Sequence, residues 1–173
     1  EIDVITSTDS HWSPQINLGV SVLIPETYVS DLDVRLGLYR RLSSLTKKVE
    51  FEGFAAELID RFGKLPSEVN TLLMVVRIKS MCKIAGISKL DGGPKGATVQ
   101  FHNDKFISPE GLVDFIKQQN NMAQVKDNKL IIRRDWLKNS DKFKGAFSIA
   151  KELAEIAISY GKTKPSKLKN KSF

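Results

Sequence analysis

The chain is poor in the residues that most often carry chemistry. It has one cysteine, Cys82, and two histidines, His11 and His102, among 173 residues. A lone cysteine excludes an internal disulfide and fits a reducing, cytoplasmic compartment. The histidines stand far apart, and neither has a cysteine or a second histidine at ligand spacing, so no metal site is expected. Long apolar runs are missing as well. No stretch approaches the roughly 18 apolar residues that a membrane span needs, and no charged-then-apolar signal segment opens the chain. An initiator methionine is also lacking; the start Glu1-Ile2-Asp3-Val4 reads as a cut inside a longer protein.

Catalytic patterns are equally scarce. No Ser-His-Asp set, nucleophile elbow or spaced carboxylate pair stands out. Gly92-Gly93-Pro94-Lys95-Gly96 shares only its composition with a phosphate-binding loop, which must open a helix, whereas a strand is expected to follow here. Cys82 sits inside an apolar helical pattern and reads as a small buried hydrophobe. Asp31-Leu32-Asp33 lacks the later glycine and glutamate of a calcium loop, and helix capping explains it. No cofactor and no small-molecule substrate are expected, and the isolated chain is not expected to be an enzyme.

What is present is a globular composition, 41% hydrophobic and 27% charged, with a formal charge of +7. Much of that charge lies at one end. Residues 162–173 hold Lys162, Lys164, Lys167, Lys169 and Lys171 and no acid. Setting these five aside from the 27 basic residues leaves 22 against 20 acidic ones. A body so close to neutral is a poor phosphate-tracking surface, and the lysine run reads as a flexible, solvated tail.

Periodicity and breakers divide the rest. Ile16–Ile24 alternates as a strand weakened by Gly19 and ended by Pro25. Ser30-Asp31 offers an N-cap for a helix over about 31–46, with Leu32, Leu36, Leu38, Tyr39 and Leu42 inward. A second helix, about 49–62, has Phe51, Phe54, Leu58 and Phe62 as a buried stripe, widened by Ala55 and Ile59, and Gly63 ends it. Pro66 opens a third helix, which Gly86 stops; apolar residues wrap much of its circumference, so it is expected to be central. Ile87–Leu90 and Ala97–Phe101 read as a hairpin, and so do 124–126 and 129–133 around Asp127-Asn128. Helices starting at Ser108-Pro109 and near Ser140 complete the set. The expected class is α+β: helices packed with short, mostly antiparallel strands and hairpins in one compact domain. Its expected extent is 16–161, between a connecting segment at 1–15 and the tail at 162–173.

One constellation rises above this background. Glu57, Asp60 and Arg61 stand at i, i+3 and i+4 on the second helix and so share a face. A solvated Glu57–Arg61 pair accounts for part of it. Asp60 adds a second negative charge in the helix's C-terminal half, where the dipole disfavours it. Mixed charge held over a phenylalanine stripe suits a partner surface.

At these residues the chain resembles a known family. Glu57-Leu58-Ile59-Asp60-Arg61-Phe62-Gly63-Lys64-Leu65-Pro66 is similar to the E-L-x-D-R-F-G-x-x-P signature of the C-terminal domain of bacterial transcription-repair coupling factor. Leu18–Pro25, Arg35-Leu36 with Tyr39-Arg40-Arg41, and Ala85-Gly86-Ile87 with Lys89-Leu90 agree in order and spacing. The likeness covers about residues 16–133 well and the last helix loosely. It implies a parent that is an ATP-driven DNA translocase, with ATP and magnesium in its own motor, that displaces stalled RNA polymerase and recruits UvrA for nucleotide excision repair. It further implies that this domain docks on the parent's N-terminal, UvrB-like module through Glu57, Asp60 and Arg61 and so masks the UvrA-binding surface. DNA is expected to be at most a weak partner, and no membrane is involved. The alternative is a nucleic-acid-binding accessory domain acting through the five tail lysines, helped by Arg133, Arg134 and Lys138.

Overall fold

The structure, a computed structural model, describes residues 11–163. Five helices and a five-stranded mixed sheet make an α+β domain. The helices are α1 (Leu32–Ser44), α2 (Lys48–Phe62), α3 (Ser67–Ala85), α4 (Pro109–Gln118) and α5 (Asn139–Thr163). The strands are β1 (Gln15–Asn17), β2 (Ile87–Gly93), β3 (Gly96–Phe101), β4 (Ala123–Lys126) and β5 (Lys129–Arg133). They lie in the order β1-β2-β3-β5-β4, antiparallel except for the β1–β2 pair.

Local chemistry sets most boundaries. Asp31 caps α1 by accepting from the Val34 N–H at 2.9 Å, and Ser108 caps α4 by accepting from Gly111 at 3.1 Å. Pro66, with φ −62°, occupies the cap position of α3, and Gly86 closes that helix at φ 71°, ψ 26°, the left-handed end that glycine adopts without cost. Asp127 and Asn128 both take positive φ, 51° and 59°, as the two-residue turn between β4 and β5 requires.

Two apolar clusters result. The larger lies between the sheet and the helices α3 and α5, where Leu90, Val99, Leu130, Ile132 and Leu153 are fully buried. The smaller joins α1, α2 and the first half of α3 through Leu38, Leu42, Phe51, Phe54, Leu58, Val69 and Leu72. Helix α3 belongs to both, with Val69, Leu72 and Leu73 in one and Ile78, Cys82 and Ala85 in the other. Its all-round apolar surface has this use.

Three expectations change. Of the expected strand Ile16–Ile24, only Ile16 and Asn17 pair with the sheet, and Gln15 from the expected connecting segment pairs ahead of them. Gly19 turns the chain at φ 67°, and the residues beyond it bridge the clusters: Leu18 enters the larger, Ile24 and Val29 the smaller. The Ile24 N–H donates to the Tyr39 hydroxyl at 2.6 Å instead of to a strand. On α1, Leu32 and Leu36 face outward, at 59% and 43% exposure. Leu38 and Leu42 carry the stripe, and a position two residues away lies about 200° round the helix. Ile59 on α2 is exposed for the same reason, one residue off the Phe51–Phe54–Leu58 line.

Candidate functional site

The α2 face is built from its ends inward. At the N-terminus the Glu50 carboxylate accepts from the backbone N–H groups of Thr46 and Lys47 at 2.8 and 2.7 Å, and these bonds lower its pKa. At the C-terminus Gly63 has φ 90°, and its N–H donates to the Ile59 carbonyl at 2.9 Å. The Tyr28 hydroxyl is shared between the carbonyls of Leu58 (3.0 Å) and Gly63 (2.9 Å). Its ring packs edge-on against Phe62 at 5.7 Å. Both ends are therefore fixed, and so is the phase of the face between them.

On that face Glu57 is held from two sides. Arg41, reaching across from α1, donates to both carboxylate oxygens at 2.8 and 2.6 Å, and Arg61 donates to Oε1 at 3.0 Å. The guanidinium groups rest on the aromatic stripe, Arg41 over Phe54 at 5.3 Å and Arg61 over Phe62 at 4.9 Å. The hydrogen bonds from Arg41, and next those from Arg61, pull the Glu57 carboxyl down to about 2. Asp60 is exposed and makes no ion pair among the described residues. Beside this network lies a shallow hollow of about 450 Å³ walled by Val34, Gly37, Leu38, Arg40, Arg41 and Arg61. Three arginines against one bound carboxylate make its rim basic.

Glu57, Asp60 and Arg61 thus share one face, and the Glu57–Arg61 pair forms as its spacing requires. Arg41 is the member that helical spacing missed. Within-helix rules reach only four residues, and this partner lies 16 residues away on another element. Of the tail lysines, Lys162 stands in the last turn of α5, and Lys164, Lys167, Lys169 and Lys171 lie outside the described residues.

Among the described residues no group of three or more histidine, cysteine or carboxylate side chains is placed to hold a metal ion, and no helix is long and apolar enough to cross a membrane. Burial pushes the Cys82 thiol up to about 12, far from a nucleophile's range. His102 stacks on Trp12, with ring centroids 4.4 Å apart and planes 10° from parallel.

The site and its frame define an α+β domain with a charged helical face. Residues 18–112 match the family model of the TRCF domain. The chain is 44% identical over 119 residues to the transcription-repair-coupling factor of Rickettsia conorii, covering 68% of this chain and 10% of that protein. It is 33% identical over 105 residues to the Escherichia coli factor, covering 61% of this chain and 9% of that protein. The chain therefore belongs to the transcription-repair-coupling factor family, and it spans about a tenth of the length of these two relatives. Its fold is that of a solved C-terminal domain of a transcription-repair coupling factor, with a TM-score of 0.68 and 22% identity over 86% of this chain and 96% of that one.

Proposed function

We propose that this chain is a non-catalytic regulatory module of a cytoplasmic coupling factor, and that it closes on the N-terminal, UvrB-like module of the same polypeptide. In this reading the α2 face covers the surface that UvrA uses and restrains an ATP-driven DNA motor elsewhere in the parent. The observation that carries it is the Arg41–Glu57–Arg61 network, which holds exposed charge in one fixed geometry on the segment matched by the family signature. Glu57 is spent on orienting the two arginines. Arg61 and Asp60 are the groups that meet the partner, one of each sign, and the basic hollow beside them takes an acidic side chain. A modest charged contact suffices because tethering within one chain raises the partner's effective concentration and still allows release.

The test is made in the full-length parent. Replacing Glu57, Asp60 and Arg61 together by alanine is expected to tighten UvrA binding and raise ATP turnover. Unchanged UvrA affinity and unchanged turnover overturn the proposal. A titration of this chain against the isolated N-terminal module separates contact from masking: Arg61→Glu weakens the complex sharply if Arg61 faces the partner.

A further inference from the structure

All five strands turn one face toward α3 and α5; among the described residues the opposite face carries no helix. The register identifies the residues that share this open face. Lys89, Gln100, Lys129 and Lys126 stand side by side on β2, β3, β5 and β4, and Asp91, Thr98, Ile131 and Gln124 form the next row. Arg133 extends the face opposite Gly96. Among the described residues four cations, Lys89, Lys126, Lys129 and Arg133, thus share the paired positions of this face with a single acid, Asp91, which Lys89 meets at 3.3 Å. Asp127 and Asp135 border it at the turn and beyond β5.

One pairing is energetically unusual. Lys126 and Lys129 are direct cross-strand partners, and like charges set opposite each other destabilise a hairpin. Both are exposed, and neither has an ion pair among the described residues. Such a pair is stabilised by an anion placed over it. Lys89 lies two strands from Lys129, roughly 10 Å, and Arg133 lies four residues along β5, roughly 13 Å. A duplex presents one phosphate charge per roughly 1.7 Å of its axis, so a patch of these dimensions faces several phosphates together.

We propose that this open sheet face is a contact surface for the backbone of duplex DNA. The side chains decide between polyanions. Gln15, Asn17, Gln100 and Gln124 add amide donors suited to phosphate oxygens, and no aromatic ring stands at the paired positions of the face to stack an unpaired base. Ile131 is its one large apolar residue, too little for the anchor that a protein interface needs. The surface is distinct from the α2 face, so its success or failure is independent of the docking reading.

Fluorescence anisotropy of the full 173-residue chain with a labelled duplex oligonucleotide, at salt concentrations from low to physiological, tests the proposal. Replacing Lys126, Lys129 and Arg133 by alanine should weaken binding at least tenfold at low salt. The slope of log affinity against log salt should fall by roughly 2.7, about 0.9 for each phosphate no longer neutralised. Lys126→Glu provides the decisive second variant. It replaces a repulsive cross-strand pair by an attractive one, so the unfolding midpoint should rise while duplex affinity falls. A chain ending at residue 163 should keep the part of the slope that these three residues remove. Absence of duplex binding, equal affinity of the triple variant, or loss of all binding on truncation at 163 each overturns the proposal.

Discussion

Arg41 and Glu57 form a two-point ion pair, 2.6 and 2.8 Å, between helices that share no backbone hydrogen bond. The carboxyl titrates near 2 in the folded chain against an ordinary 4.5. Its folded pKa is depressed, so its contribution to stability is complete above about pH 4.5 and is lost as pH falls toward 2. Because the pair is largely exposed to solvent, Arg41→Ala should cost no more than about 1 kcal/mol at pH 7. In urea titrations the gap between native and variant should narrow across that acid window. A gap as wide at pH 2 as at pH 7 would assign Arg41's role to its packing on Phe54 instead.

Two glycines should respond oppositely to alanine. At Gly96, φ is 121° and a Cβ would lie 2.0 Å from the Ile132 carbonyl oxygen, within the backbone of the neighbouring strand. Gly96→Ala should lower stability by more than about 2 kcal/mol. Gly53, inside α2, has nothing within 4 Å of its Cβ position. Gly53→Ala should raise stability by about 0.5–1 kcal/mol. Thermal melts of both variants check the pair, and equal effects would contradict the close approach of β3 and β5.

The Tyr39 hydroxyl accepts from the half-buried Ile24 N–H and fixes the bridging segment onto α1. Tyr39→Phe strips that N–H of its partner, a change that costs about 1–3 kcal/mol when the donor stays shielded from water. Amide hydrogen exchange at Ile24 should accelerate, while protection in β3 falls only as far as global stability does.

Cys82 has no exposed surface, and its thiol is held near 12. It should resist a thiol-specific reagent in native buffer and react promptly in denaturant. Rapid labelling of the native chain would mean that α3 opens far more readily than its packing implies.

Much of this fold is written in local signals. Asp31, Ser108, Gly63, Gly86 and the Asp127-Asn128 turn act on their immediate neighbours, so the elements they bound can be read from a few residues at a time. The segment after Asn17 cannot be read in that way. Its alternation suits a strand, but β2 lies some 70 residues downstream, and the two clusters that draw in Leu18 and Ile24 exist only after folding. The site divides along the same line. Helical spacing places Glu57, Asp60 and Arg61 together, whereas Arg41 becomes their neighbour only when α1 packs beside α2.

Helix α3 carries a consequence for how the molecule answers force. Its first turns are rooted under α1 and α2, and its last turns under the sheet. A tug on the α2 face should therefore not peel the small helical lobe away as a separate piece, because Val69, Leu72 and Leu73 share one helix with Ile78, Cys82 and Ala85. Load applied at α2 travels along that helix into the strands. The domain should yield in a single rupture, so under the proposed docking a release would part the interface and leave the domain whole.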